Sequence, residues 1–187
     1  YEDQQESFAD MTTLGLLILL LVYVVMATQF ESISKPAIIF TSIPFAITGV
    51  ILALGVTGKS LDMIGALGLI MLLGIVVKNG IVLVDFTDLL RERGYRLNDA
   101  IVRGGKSRIR PVMMTAFTTL LGMVPMAVSN GEGSAMWQPL GIVVIGGLLV
   151  STFVTMYIVP VMYAVLSARD EKKKIAGAGN SQFIFMQ

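Results

Sequence analysis

The sequence predicts an all-α membrane protein that crosses the bilayer several times. Hydrophobic residues make up 55% of the chain and charged residues 14%, whereas soluble domains carry about 25% charged residues. The apolar residues are also clustered in long runs. Because a bilayer core about 30 Å thick needs about 20 mostly apolar residues in a helix, the five longest runs predict five transmembrane helices. The predicted spans are residues 11–28, 36–56, 63–90, 111–129 and 139–166.

The segments outside the spans are polar. Residues 1–10 are acidic and begin with Tyr rather than Met, so we interpret them as the end of a preceding periplasmic domain and the sequence as a fragment of a longer protein. The link 91–110 has apolar and charged side chains at helical spacing, which predicts an amphipathic helix lying on the cytoplasmic membrane surface. Residues 167–187 form a predicted cytoplasmic tail, which we expect to be disordered after Lys174.

The basic residues predict the orientation of the chain in the membrane. Twelve of the fourteen Lys and Arg residues fall on one side of the predicted spans, Lys59 lies on the other side, and Lys78 lies within the third span. Cytoplasmic loops carry the excess of Lys and Arg, so the first span begins outside the cytoplasm and the C-terminus is cytoplasmic.

Several kinds of chemistry have no support in the sequence. The chain lacks Cys and His, which excludes disulfides, thiol chemistry and an imidazole proton carrier. It has no nucleophile–base pair, phosphate-binding glycine loop or nucleic-acid motif, so we predict neither an enzyme nor a nucleic-acid partner. Twelve Met residues are present, and thioethers bind soft metals, but side-chain packing is the favoured interpretation, so we predict no metal site and no cofactor.

Lys78 is the most informative residue because it lies well inside a predicted span. It is fifteen residues from Met63, or roughly 22 Å along a helix. A charged Lys at the bilayer centre costs about 2.5–3.5 kcal/mol on insertion scales, which favours a functional role. The alternative is an amine that reaches the cytoplasmic interface along its own side chain.

No carboxylate in the sequence is well placed to pair with Lys78. Asp85 is on the same helical face, but roughly 10 Å away along the axis, and Asp62 and Glu132 belong to the opposite membrane surface. We therefore expect the counter-charge on a helix outside this chain. A carboxylate that binds a proton would release Lys78 to change partner, which is a natural coupling element.

The fourth and fifth spans add hydroxyl groups. Thr115 and Thr119 share one face, and Arg108 lies seven residues before Thr115 on that face. Hydroxyls in a span can bond across helices or hold water for proton transfer. The alternative, which also applies to Ser151, Thr152 and Thr155, is a hydrogen bond to a carbonyl of the same helix.

Four segments together resemble the resistance-nodulation-division (RND) transporters, specifically their hydrophobe/amphiphile multidrug efflux branch. The segments are QFESISKP at 29–36, GIVVKNGIVLVDF at 74–86, RIRPVMMT at 108–115 with GMVP at 122–125, and SNGEGS at 129–134. The resemblance implies that the five spans are helices eight to twelve of a twelve-helix protomer. It favours the multidrug branch because the heavy-metal branch lacks the KN motif.

The resemblance also implies roles for individual residues. Lys78 sits at the position of a lysine that pairs with two aspartates on the fourth helix of the family, and Asn79 follows it as in the family motif. Arg108 and Thr115 fall where an arginine and a threonine join the proton relay. Asp85 matches an acidic position of the same motif and would be an accessory group. Thr119 is a second accessory candidate, from its spacing of four residues to Thr115 rather than from the resemblance. The aspartate pair is not in this sequence, in agreement with the missing counter-charge.

The same resemblance implies the setting and the partners. The family works as a homotrimer in the inner membrane of Gram-negative bacteria, driven by the proton gradient, with a periplasmic adaptor and an outer-membrane channel. The partners of this chain would then be the bilayer and the rest of its protomer, including the aspartate-bearing helix. Two alternatives stay open: a related proton-driven protein, such as a lipid exporter or protein-export auxiliary, and a non-transporting membrane scaffold.

Overall fold

In the computed structural model, the chain is built from α-helices joined by short turns. The structure describes the backbone of residues 2–184 except positions 33, 130 and 132, and side chains between residues 9 and 168. The predicted SNGEGS segment therefore lies partly outside the described residues. The helices are α1 (Glu2–Gln29), α2 (Ser34–Phe40), α3 (Ile43–Thr57), α4 (Met63–Glu92), α5 (Leu97–Val128) and α6 (Ser134–Ile184).

Five helical segments of the described chain are long and apolar enough to cross a membrane. They are Ala9–Gln29, Ser34–Thr57, Met63–Glu92, Leu97–Val128 and Ser134–Ala168. Each contains or closely overlaps one of the five predicted spans, so the all-α polytopic fold class is confirmed.

The second span is interrupted where α2 meets α3. The Ser42 amide donates to the Ile39 carbonyl at 3.0 Å, which tightens the chain into a turn before α3 begins. Pro44 then occupies the first turn of α3, where its missing N–H costs nothing because that turn has no intrahelical acceptors for such donors. At the other end, α3 ends at Gly58, whose φ of 64° is the left-handed conformation typical of a helix C-terminus.

Two helices run further than the sequence predicts. The link 91–110 is largely helical, but its residues form the first turns of α5 and continue through Pro111 into the fourth span instead of forming a separate surface helix. The missing Pro111 N–H removes one backbone hydrogen bond, but the helix continues on both sides of it. The backbone of α6 extends to Ile184, well past the predicted fifth span, so the expected disorder after Lys174 differs from the structure.

Helix α6 packs against α3, α4 and α5 and forms the centre of the bundle. Buried side chains from these helices, including Val50, Leu72, Val143 and Leu148, make one apolar cluster. Close approach depends on small residues, because helices in lipid associate by packing rather than by a hydrophobic driving force. A Cβ on Gly49 would lie 2.6 Å from the carbonyl oxygen of Gly146, so the two backbones touch at this point.

Candidate functional site

An exposed stripe runs along α4 and carries both ionisable residues of the GIVVKNGIVLVDF segment. It contains Lys78 and Asp85 and the apolar side chains Leu67, Met71 and Leu89, all of which are exposed. The residues between them are mostly buried against α3, α5 or α6. The described helices of this chain therefore leave one side of α4 uncovered, with Lys78 near its middle.

Lys78 has no ion-pair or hydrogen-bond partner among the residues that the structure describes. The described part of the chain contains one salt bridge, between Lys35 and Asp88. Asp85 shares the stripe with Lys78 but does not pair with it. This agrees with the prediction that no carboxylate in the sequence is well placed to pair with Lys78.

Asn79 lies beside Lys78 but faces the opposite way, into the bundle. Its side chain is buried, and it lines a small cavity together with Arg108 of α5. The guanidinium carbon of Arg108 lies 4.3 Å from the centre of the Phe86 ring on α4. The structure thus brings Asn79 and Arg108 to one place and fixes Arg108 against α4, while Lys78 points away from them.

The hydroxyls of Thr115 and Thr119 bond to their own helix. Thr115 Oγ1 donates to the Pro111 carbonyl at 3.0 Å, and Thr119 Oγ1 donates to the Thr115 carbonyl at 2.9 Å. This is the alternative that the sequence leaves open for span hydroxyls. Thr115 is nevertheless exposed on α5, and its oxygen keeps acceptor capacity toward a neighbouring helix.

A second polar cluster, formed by Lys35, Asp88 and Tyr163, is not predicted from the sequence. Asp88 Oδ2 lies 2.7 Å from Lys35 Nζ, and the Tyr163 hydroxyl donates to Asp88 Oδ1. The cluster joins α2, α4 and α6 at the end of the bundle that the charge distribution predicts to be cytoplasmic. Asp88 and Tyr163 are 75 residues apart, so no local spacing in the sequence predicts their contact.

Comparison with known proteins gives a family match over most of the chain. A profile described as the AcrB/AcrD/AcrF family matches residues 1–167. The cobalt-zinc-cadmium resistance protein CzcA of Cupriavidus metallidurans is 41% identical over 91% of this chain and 16% of its own length. The multidrug resistance protein MdtC of Serratia proteamaculans is also 41% identical, over 76% of this chain and 14% of its own length. The similarities therefore extend to metal-resistance as well as multidrug-resistance proteins and do not confirm the multidrug branch.

The solved structures agree with the sequence relatives. The crystal structure of a heavy metal efflux pump superimposes with a TM-score of 0.79 at 32% identity, covering 90% of this chain and 16% of that one. The chain thus spans about a sixth of the length of the relatives that it matches. From the family profile, the relatives and the shared helical arrangement, we conclude that the chain is a membrane segment of an RND transporter and belongs to the AcrB/AcrD/AcrF family.

Proposed function

We propose that the chain is part of a proton-driven RND efflux antiporter in a bacterial inner membrane, with its C-terminus in the cytoplasm. In this proposal the chain carries the cationic side of the proton relay, with Lys78 as the central group and Asn79, Arg108 and Thr115 as relay partners. The observation that supports it best is the position of Lys78, near the middle of the 30-residue helix α4, exposed and unpaired within the described chain.

An ammonium group in this position needs a counter-charge from elsewhere. Placing an unpaired charge in the hydrocarbon core costs on the order of 3 kcal/mol on insertion scales. The exposed stripe offers the surface on which another helix of the same protomer would supply that charge. A carboxylate on that helix would pair with Lys78 when ionised and release it when protonated, so each proton bound would change the contact between the two helices.

The remaining features of the proposal come from the family. The full-length protein would act as a homotrimer, with a periplasmic adaptor and an outer-membrane channel as partners. Apart from the proton gradient that drives transport, no cofactor is proposed. A related lipid exporter or protein-export auxiliary is less well supported, because the relatives are named for resistance and efflux.

The test is substitution of Lys78 in the full-length protein. We expect Lys78→Met to abolish substrate export driven by an imposed proton gradient in proteoliposomes, while the protein still inserts and purifies as the wild type does. Lys59→Met, which removes a cation from the link between α3 and α4, is the matched control and should export normally. Full export by a folded Lys78→Met protein would rule out the relay role and favour the scaffold alternative.

The class of exported substrate is a separate question with two candidates. The KNG sequence after Val77 supports amphiphilic drugs, because it resembles the multidrug branch. The 41% identity to CzcA over 91% of the chain supports divalent heavy-metal cations. Cells that express the full-length protein should gain resistance either to dyes and detergents or to cobalt, zinc and cadmium salts. Cells that express the Lys78→Met protein instead should not gain that resistance.

A further inference from the structure

A small cavity lies inside the bundle where α4, α5 and α6 meet. It has a volume of about 20 Å³ and is lined by Asn79 of α4, Arg108 of α5, and Thr152, Thr155 and Met156 of α6, with apolar neighbours. The cavity lies on the bundle side of α4, whereas the exposed stripe with Lys78 lies on the other side. It is therefore separate from the surface on which a missing carboxylate would dock.

Three buried polar atoms of the cavity-lining residues have no hydrogen-bond partner among the described residues. They are Arg108 Nε and the hydroxyl oxygens of Thr152 and Thr155. Thr152 is 5% exposed and Thr155 is 4% exposed, so bulk water does not reach them. A buried polar group left unpaired costs about 1–3 kcal/mol, and three at one place would be a large loss for this bundle.

The behaviour of the two threonines differs from that of five other threonines in the spans. Thr48, Thr87, Thr115, Thr118 and Thr119 each donate to the carbonyl four residues before them. Thr152 and Thr155 make no such bond and line the cavity instead. The intrahelical bond that the sequence leaves open for Thr152 and Thr155 is therefore not made, and their hydroxyls are available to a ligand in the cavity.

We propose that this cavity binds one ordered water molecule that hydrogen-bonds to Arg108 Nε and to the hydroxyls of Thr152 and Thr155. A cavity needs about 10–15 Å³ to hold a water, and a buried water typically makes about three hydrogen bonds. The volume and the three unpaired atoms both match. The Nε–H group donates to the water oxygen, and the water donates to the threonine oxygens, so each unpaired atom gains a partner.

The water would tie Arg108 to α6, and this part of the inference rests on the proposed relay. The Phe86 ring packs against the guanidinium group, and the water would hold its Nε. Thr152 and Thr155 are then positioning residues for Arg108. Because α6 also packs against α3 and α4, the water would connect Arg108 to the helix at the centre of the bundle.

The water itself is tested by X-ray radiolytic labelling of the full-length protein, because hydroxyl radicals formed from a bound water oxidise the side chains beside it. Met156 lines the cavity and should be oxidised at least about fivefold faster than Met162, which lies on the same helix, is also partly buried and packs against an apolar cluster. Replacing both threonines (Thr152→Val with Thr155→Val) should lower Met156 oxidation to the Met162 level. The exposed Met136 should label equally in both proteins.

Two outcomes would overturn the water site. One is slow Met156 oxidation in the wild type, equal to that of the partly buried Met162. The other is Met156 oxidation that stays unchanged in the valine pair. If the valine pair fails to fold, the serine pair (Thr152→Ser with Thr155→Ser) keeps both hydroxyls and should label as the wild type does. The comparison of Met156 with Met162 in the wild type then decides whether the water is present.

The positioning role is tested by export as a function of pH. The valine pair should export more slowly and show an altered pH profile, and the serine pair should restore both. An unchanged rate and profile in the valine pair would overturn the link to the relay. Labelling also separates this inference from the proposed function: if Lys78→Met exports fully while Met156 labelling behaves as expected, the relay is wrong and the water site stands.

Discussion

The guanidinium group of Arg108 packs over the ring of Phe86, with 4.3 Å between the guanidinium carbon and the ring centre. The contact joins α5 to α4 one residue after Asp85. A cation over an aromatic face gains about 0.5–1 kcal/mol when exposed and about 2 kcal/mol when desolvated. Arg108 is half-buried, so we expect a value near 1 kcal/mol and a fixed guanidinium orientation.

Phe86→Leu should therefore destabilise the full-length protein by about 1 kcal/mol and slow proton-driven export. The apolar volume is largely kept, so the loss comes mainly from the cation–ring contact. Thermal unfolding in detergent and export in proteoliposomes measure the two effects. Phe117→Leu is the control, since Phe117 is 51% exposed on α5 and makes no cation–ring contact in the described chain. Equal effects from both substitutions would contradict the role of the Phe86 ring.

Thr115→Val tests whether the Thr115 hydroxyl does more than bond to Pro111. If the hydroxyl belongs to the relay, Val should lower export about tenfold or more, because a hydrogen bond to a charged group contributes about 1.5–3 kcal/mol. Thr118→Val is a matched control, because Thr118 makes the same kind of bond, to the Met114 carbonyl at 2.8 Å. Normal export by the Thr115→Val protein would leave only the intrahelical role.

The Lys35–Asp88 pair should contribute measurably to stability. The side chains are 31% and 17% exposed, which places the pair between surface pairs of about 0.2–1 kcal/mol and buried pairs that cost about 3–5 kcal/mol to break. We expect a coupling free energy of about 1–2 kcal/mol. A double-mutant cycle with Lys35→Met and Asp88→Asn, followed by thermal unfolding, measures it. Additive effects of the two substitutions would show that the coupling free energy of the pair is zero.

Tyr163→Phe should lower the free energy of unfolding by an amount that depends on Asp88. The Tyr163 hydroxyl donates to the Asp88 carboxylate, so its removal leaves that carboxylate with one partner fewer. The destabilisation should be about 1–3 kcal/mol with Asp88 present and smaller in the Asp88→Asn background. The same unfolding experiment compares the two backgrounds, and an equal loss in both would contradict the contact.

Gly49→Ala should destabilise the protein, whereas Gly55→Ala on the same helix should not. The new Cβ at Gly49 would lie 2.6 Å from the Gly146 carbonyl oxygen, and overpacking of this kind costs about 1–3 kcal/mol. Gly55 has nothing within 4 Å of its Cβ position, so alanine there should gain helix stability. Similar melting temperatures for the two variants would contradict the close contact between α3 and α6.

Run length, charge placement and local motifs were sufficient for the fold class, the five spans and the family. Apolar runs long enough for a bilayer are visible in any sequence, because the lipid imposes the same length on each helix. The isolation of Lys78 was predictable for a similar reason, since helical spacing alone keeps Asp85 about 10 Å away. The merging of the link 91–110 with α5 was not predictable. Pro111 suggests a helix boundary, but the helix continues through it.

Only the tertiary structure decides which polar groups meet. Thr115 and Thr152 look alike in the sequence, yet one hydroxyl bonds to its own helix and the other lies unpaired beside Arg108 in a cavity. The Lys35–Asp88–Tyr163 cluster likewise brings together residues from three helices. The sequence determines that five helical segments are long and apolar enough to cross a membrane, and which of their faces are polar. The rotation and depth of one helix against another depend on the packing of distant side chains, and that packing determines which of those polar faces come into contact.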